Sequence, residues 1–561
     1  MSSSSQAITP ALVTQKAVKR MPRWALLLFC AAYVLPGLFG RDPWKNADIG
    51  SFGHMWSLAL GQASWLHPNV GGVLPVGGGI LPYWLGGAFI SVLSPWVDPA
   101  LAARIPFALL LVAVLALTWY ATYHLARTDA AQPLPLAFGG EALPHDYARA
   151  VADGALLALI ATLGLLQLGH ETTPELLQLT ASAMFLYGMA AAAPNPFYGR
   201  LATMLCLPIM ALSGSPAVAI ELASSGILVC SLSNTPAMRA HRPWLIASGL
   251  LAAALATSLT LSGLSGWEMR LQDWPGLTTT FRMLTWFTWP ALPLAALTVW
   301  HWRRQIARRH IAVPLFSALV GLGACIAMGV NDRALLQALP ALAILAAFAL
   351  PILQRSLGSA IDWFSVFFFT AATLLIWLAY TGMHFGVPRQ MSANVAKLVP
   401  GYTASFSWPV LIIASIATLL WLALVRWRTS RQSHALWKSL VLPAGGVALC
   451  WLLIMTLLLP PFDQARSYRL LINRVKPYAP VGTCIAAPGA SVGLLTALEY
   501  FGNYRVDGLT PARSVPPDCP VLVVSLTARQ VAPHVPGWQR VGREKQRTRN
   551  SESLAIYRRA P

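Results

Sequence analysis

The sequence is short of charge. Asp, Glu, Lys and Arg make up only 11% of its 561 residues, whereas a water-soluble domain carries about a quarter, which argues against an ordinary soluble globule. Acid is scarcer than base, with 20 Asp and Glu against 40 Lys and Arg. Cysteine is sparse at seven, and no Cys-x-x-Cys or Cys/His metal spacing is present. Five cysteines (Cys30, Cys206, Cys230, Cys325 and Cys450) lie inside apolar runs, where they read as small packing residues. The chain has no P-loop, which speaks against work driven by ATP bound to it, and no GxGxxG after a strand, no HExxH and no GxSxG. Beyond a Ser-rich start there is no low-complexity tract and no internal repeat.

What fills the chain instead is apolar: 56% hydrophobic residues and a mean hydropathy of +0.57. Runs long enough to cross about 30 Å of hydrocarbon recur along most of the length. We read thirteen spans, near 24–40, 101–125, 151–168, 174–192, 200–213, 216–232, 243–264, 284–301, 312–329, 335–352, 360–382, 408–424 and 439–459. The 22 Trp suit the interfacial belts of such a protein. A net charge of +20 could suggest nucleic acid, but the cations sit where spans end. Lys16, Lys19, Arg20 and Arg23 precede the first span and place the N-terminus in the cytoplasm. Arg303, Arg304, Arg308 and Arg309, and then Arg426, Arg428, Arg431 and Lys438, fall in loops that alternate correctly, so the basic residues are topology signals and lipid contacts, with no nucleic-acid role. The first span lacks a small-residue cleavage site and reads as a retained helix. An odd span count puts the C-terminus outside.

The transmembrane part is expected over 1–460. Three outside segments are long: 41–100, with short interfacial helices and the candidate active-site segment, 265–283 and 383–407. From 461 to 561 the pattern changes to that of a small α/β domain, with strands at Gly482–Ala487, Val521–Leu526 and Leu554–Arg558 and a helix over Ala490–Phe501. Cys484 and Cys519 adjoin two of these strands, and an outside location favours a disulfide between them; two separate buried thiols are the alternative.

Chemistry in so apolar a chain should show in its few acids. Asp42 and Asp48 lie in Arg41-Asp42-Pro43-Trp44-Lys45-Asn46-Ala47-Asp48, directly after the first span, and His54 follows. The bland reading is a hydrated loop with Asp48 capping the next helix. The functional one is a carboxylate at the membrane surface. His170-Glu171-Thr172-Thr173-Pro174-Glu175 is a second acidic turn, in which Pro174 and Glu175 also suit a helix start. Glu175 would assist Asp48, with His54, His170 and Glu171 as acceptor contacts. Arg270, Arg282 and Arg333 are outer-face cations fit for an anionic headgroup, although an arginine at a span end can also simply snorkel.

The order of several motifs carries a resemblance. Trp44…Asp48, Trp65-Leu66-His67-Pro68-Asn69-Val70-Gly71-Gly72, Pro82-Tyr83-Trp84-Leu85 and Ala102-Ala103-Arg104-Ile105-Pro106 are similar to the run of motifs in bacterial aminoarabinose (lipid A) transferases and protein-mannosyltransferase-like enzymes of the GT-C superfamily. His170–Leu177 resembles the second acidic turn of that family, and Asp332-Arg333…Leu339-Pro340-Ala341-Leu342 resembles its later Arg…Leu-Pro-Pro-Leu motif. The resemblance spans about residues 24–355. It implies an all-α polytopic GT-C fold of about 13 transmembrane helices with a small C-terminal α/β periplasmic domain, in the inner membrane of a bacterium. It implies an inverting glycosyltransferase that takes a sugar from a polyprenyl-phosphate-linked donor and passes it to lipid A, another glycan or a protein. Asp48, with Asp42 second, would be the base and Glu175 its helper. Arg270, Arg282 and Arg333 would clamp the phosphate. A divalent metal ion, if one is used, would sit on Asp48 and Glu175.

Two departures stand out. The Asp-Glu pair of the family is Ala47-Asp48 here, and its Lys-Pro-Pro is Gly78-Gly79-Ile80, so that Lys45 would have to replace the missing cation. A transporter or flippase of a lipid-linked substrate and a catalytically inactive GT-C relative are the competing readings. The first is disfavoured by the lack of a half-to-half repeat; the second draws on the two departures.

Overall fold

The computed structural model describes residues 9–45, 47–75, 77, 79–135, 139–264, 267, 272–429, 435–512, 514–516, 518–527, 530–545 and 553–559. Helices take up nearly every apolar run. In chain order they are α1 (Arg23–Val34), α2 (Ala47–Ala59), α3 (Leu81–Leu93), α4 (Pro99–Ala126), α5 (Pro144–Ile160), α6 (Leu163–Leu168), α7 (Pro174–Ala191), α8 (Pro196–Leu212), α9 (Pro216–Leu232), α10 (Pro236–Leu261) and α11 (Leu277–Phe287). Then follow α12 (Ala291–His301), α13 (Arg309–Ala327), α14 (Asp332–Leu335), α15 (Leu339–Ala349), α16 (Arg355–Phe385), α17 (Arg389–Leu398), α18 (Trp408–Thr429), α19 (Lys438–Leu457), α20 (Leu459–Arg466), α21 (Arg469–Val475) and α22 (Val492–Gly502). Proline opens α4, α5, α7, α8, α9 and α10. It fits the first helical position because the N–H it lacks would find no intrahelical partner there.

Seven of the described helical stretches are long and apolar enough to cross a membrane: α4, α10, α13, the continuous rod Asp332–Ile352, α16, α18 and α19. The protein is therefore a multi-pass membrane protein, but a count of thirteen spans does not emerge. The run at 24–40 yields only the 12 residues of α1, since Pro36 cannot extend a helix and Gly37 adopts a left-handed φ of 81°. The run at 151–168 is cut at Thr162 into α5 and α6. The run at 284–301 is interrupted at Trp289-Pro290, between α11 and α12.

The chain divides into two compact units. The first comprises Met1–Pro36, Phe107–Thr373 and Ile413–Leu453. Its centre is the Asp332–Ile352 rod, buried over almost its whole length, and α12, α13 and α5 pack on it. By contrast α18 exposes Ile413, Ile416, Leu419 and Leu420, the surface expected of a lipid-facing helix.

The second unit comprises Gly37–Pro106, Leu374–Ile412 and Ile454–Pro561. It contains a five-stranded sheet of β1 (Cys484–Ala486), β2 (Arg505–Asp507), β3 (Val521–Leu526), β4 (Trp538–Lys545) and β5 (Ser553–Arg559), in the order β2-β1-β3-β5-β4. β1 runs parallel to both β2 and β3, while β5 is antiparallel to β3 and β4. Helix α22 is the crossover between β1 and β2. β2 and β4 escape the sequence pattern because one is three residues long and the other is an exposed, mostly polar edge. Cys484 and Cys519 form a disulfide, with their Cα atoms 4.4 Å apart.

The first loop belongs to this unit through its core. Ile49 of α2 and Val70 are buried with Leu494, Leu498, Ile485 and Val523. Gly53 makes the contact of α2 with α22 possible, since a Cβ there would stand 1.8 Å from the Thr496 hydroxyl. The Gly508 N–H donates to the Gly71 carbonyl at 2.9 Å.

Candidate active site

In the second unit the segment 41–48 folds around its acids. Asp48 lies in the first turn of α2, and its Oδ2 accepts the Trp44 N–H at 3.0 Å and the Arg41 guanidinium at 3.2 Å. Both side chains are buried, to 1% and 0% exposure. The Asp48 carboxylate thus secures the start of α2, as a capping acid does, and neutralises a guanidinium removed from water. Arg41 also stacks over the Trp44 ring, 4.5 Å from its centroid, and Arg466 stands over the same ring at 4.9 Å.

Asp42 takes the Arg469 guanidinium in a two-pronged ion pair, with Nε at 2.8 Å and Nη2 at 2.5 Å, and accepts the Ser467 hydroxyl at 2.8 Å. Asp463 in the middle of α20 accepts the Asp42 N–H at 3.0 Å and the Trp44 indole N–H at 2.9 Å. Burial, and then the charge of Asp42, push the Asp463 carboxyl above the usual carboxylate range. Arg104 of α4 is buried at 4% exposure, within electrostatic reach of Asp48, Asp463 and Asp98. One of its terminal nitrogens is buried without a hydrogen-bond partner among the described residues. Lys45 lies alongside: its N–H donates to the Arg466 carbonyl at 2.9 Å, and its Nζ stands 4.9 Å from the Tyr468 ring centroid. Tyr500 of α22 donates to Asp98 at 3.4 Å. His54 is also in this unit, but its ring is buried against Tyr83. Burial lowers its pKa to about 4, so it is neutral at physiological pH.

The second acidic turn belongs to the first unit. Arg333 donates to Glu171 Oε2 at 2.5 Å and stands 3.6 Å from Glu175 Oε2. Gln167 donates to the other Glu171 oxygen at 2.9 Å. Arg333 is therefore engaged by two carboxylates rather than presented bare to a phosphate. Asn331 caps the helix that carries it, accepting the Arg333 N–H at 2.9 Å, and Glu175 occupies the first turn of α7 behind Pro174. The His170 ring nitrogens face the Leu166 and Tyr33 carbonyls at 2.7 and 2.8 Å. Arg282 is exposed on α11, next to exposed Phe281. Arg270 lies outside the described residues, as does Gly78. Asp48 and Glu175, considered together for a metal, fall in different units, and among the described residues no group of three or more His, Cys, Asp or Glu forms a metal-ligating set.

Sequence reasoning gave no role to Arg41, Arg104, Asp463 or Arg469. The signal for Asp463 was its rarity: it is one of only 20 acids and directly follows the last apolar run. Arg104 stood within a quoted motif without an assignment.

A polytopic helical part and a small terminal sheet, with the first loop packed in the core of the sheet's unit, make up a fold that recurs among solved structures. The fold is similar to that of ArnT from Cupriavidus metallidurans bound to undecaprenyl phosphate, with a TM-score of 0.61 and 13% identity over 96% of this chain and 98% of that one. It is equally similar to apo ArnT from the same organism, with a TM-score of 0.62 and 12% identity over 95% and 96% of the two chains. No protein-family model and no curated protein sequence matches the chain.

Proposed function

We propose that this protein is a membrane glycosyltransferase that takes a sugar from a polyprenyl-phosphate-linked donor and passes it to a hydroxyl acceptor at the periplasmic face of a bacterial inner membrane. The observation that carries this reading is Arg104, a buried guanidinium with a terminal nitrogen that has no hydrogen-bond partner among the described residues, within electrostatic reach of the Arg41 cation as well as of Asp48, Asp463 and Asp98. A buried cation with unused donors is stabilised by an anionic ligand, and the arginine fork suits phosphate. The fold supports the choice of anion, since a structure similar along nearly its whole length binds undecaprenyl phosphate. The disulfide supports a location outside the cytoplasm, where such bonds persist.

The geometry supports the following roles. The leaving phosphate gains charge as the glycosidic bond breaks, and Arg104 with Lys45 would stabilise it. Inversion at the anomeric carbon needs a carboxylate to accept the proton of the attacking hydroxyl. Asp463 is our first choice for this base because its raised proton affinity brings it nearer to the operating pH. Asp42 beside it, held by Arg469, raises that affinity. Asp48 acts through Arg41 as a positioning residue. Glu171, Glu175 and Arg333 hold the second turn in shape, and exposed Arg282 contacts headgroups.

The test is transfer of a radiolabelled sugar from a purified polyprenyl-phosphate-linked donor by the full-length protein in liposomes. Turnover by the natural chain, with donor use cut at least tenfold in Arg104→Met, supports the proposal. Absence of donor binding overturns it. Donor binding without turnover favours the inactive relative, a reading that the locked Arg41–Asp48 pair and the missing lysine make specific.

A further inference from the structure

A cleft of about 720 Å3 opens in the first unit, lined by α1, α4, α5 and the residues just before α1. One end is cationic, with Arg20, Arg23 and Arg149, and includes Trp119, Tyr120 and Asp153. The rest is apolar, walled by Leu26, Leu27, Val112, Leu115 and Leu156. We propose that this cleft binds an anionic diacyl phospholipid of the bilayer, its phosphate on Arg23 and Arg149 and one acyl chain along Leu27 and Val112. The inference needs only the membrane location, not the catalytic reading above.

Charge and amphipathicity identify the ligand. Asp146 takes Arg20 in an ion pair at 2.7 Å and also accepts Gln15, so Arg20 is fixed and its charge matched. Asp153 is buried and accepts the Trp119 indole N–H at 2.9 Å. Neither Arg23 nor Arg149 makes a hydrogen bond or ion pair among the described residues; Asp153 lies within electrostatic reach of Arg149, and the donors of both guanidiniums are left for a phosphate. Trp119, Tyr120 and Tyr123 form a ladder of aromatic contacts at the same level, with ring centroids 5.0 and 5.4 Å from Trp119. Aromatic rings of this kind mark the boundary between headgroups and hydrocarbon, and basic pockets between spans at that boundary recognise anionic headgroups.

The apolar wall runs from this level into the depth of the bilayer. Leu27 is 68% exposed and Val112 47%, so the cleft opens sideways to lipid and an acyl chain laid there would cover both. That lateral opening favours an abundant membrane phospholipid, exchanging from the bilayer, over a scarce polyprenyl phosphate of otherwise shared chemistry.

The experiment is native mass spectrometry of the full-length protein released from mixed phosphatidylglycerol and phosphatidylcholine micelles. Phosphatidylglycerol should be retained at least fivefold over phosphatidylcholine. Arg23→Gln combined with Arg149→Gln should abolish that preference. Val112→Trp, which fills the apolar wall and leaves every charge in place, should lower phosphatidylglycerol retention on its own, and it decides the matter if the double variant fails to fold. Equal retention of the two lipids, or an unchanged preference in the Trp variant, overturns the site. Polyprenyl monophosphate displacing phosphatidylglycerol at equal concentration overturns the choice of ligand.

Discussion

Asp48 and Asp463 separate two jobs that a carboxylate can do in an apolar chain. Asp48 is nearly inaccessible and shares a buried pair with Arg41, and removing one member of such a pair costs about 3–5 kcal/mol because the other charge stays behind unpaired. Asp48→Asn should therefore lower the thermal unfolding temperature in detergent sharply, and replacing Arg41 with Met in the same chain should recover part of the loss. A variant as stable as the natural protein would remove the structural role. Asp463→Asn should keep its fold and lose about 10²–10⁴ in transfer rate, the usual worth of general-base help. Because burial raises the Asp463 pKa, the acid limb of the rate profile should lie above that of an ordinary aspartate; full activity in Asp463→Asn would reject the assignment. The acids of 41–48 were legible as candidates because charge is so rare here. Which of them is locked was not legible, since Asp463 and Arg469 lie over 400 residues away in the chain.

At the scale of elements, periodicity located most helices closely: 216–232 matches α9, 174–192 matches α7 and 101–125 lies within α4. It failed where backbone chemistry overrides hydropathy, as at Pro36-Gly37 and Trp289-Pro290, because a window average cannot register a single missing N–H. The strands with apolar faces were readable, and Val521–Leu526 coincides with β3. The polar edge strand β4 had no such face to betray it. The seam between α2 and α22 depends on Gly53, which periodicity passes over. Gly53→Val should force these helices apart and destabilise the second unit by a few kcal/mol, measured as faster proteolysis of that unit. An unchanged cleavage rate would show that the seam relaxes at little cost.

For the whole molecule, the second unit should be sensitive to pH and to reductant. Glu499 of α22 has a buried oxygen without a hydrogen-bond partner among the described residues, and burial raises its pKa from 4.5 to about 7. A carboxyl raised in this way contributes its full stability below its unfolded value near 4.5 and loses it as pH climbs through about 7. Glu499→Gln should hence unfold at a higher temperature than the natural chain at pH 8 and at nearly the same temperature at pH 4; no difference at pH 8 would show that the carboxyl is hydrated. The disulfide closes a separation of 35 residues, and its reduction should cost about 3–4 kcal/mol in the chain-entropy model, read from unfolding with and without reductant.

The docking of the first loop on the terminal sheet also dictates when the protein can become competent. Asp42 emerges from the ribosome early, but its neighbour Asp463 lies 421 residues further on, and Ile49 shares a core with strands that are made last. Until translation is almost finished, Asp42 lacks its partner Arg469 and Ile49 lacks its apolar backing, although Asp48 already has Arg41. A chain stalled or clipped before the sheet would carry the membrane-length helices and still leave Asp42 without Arg469 and Ile49 without its core partners, so the last hundred residues complete the folding of the first loop.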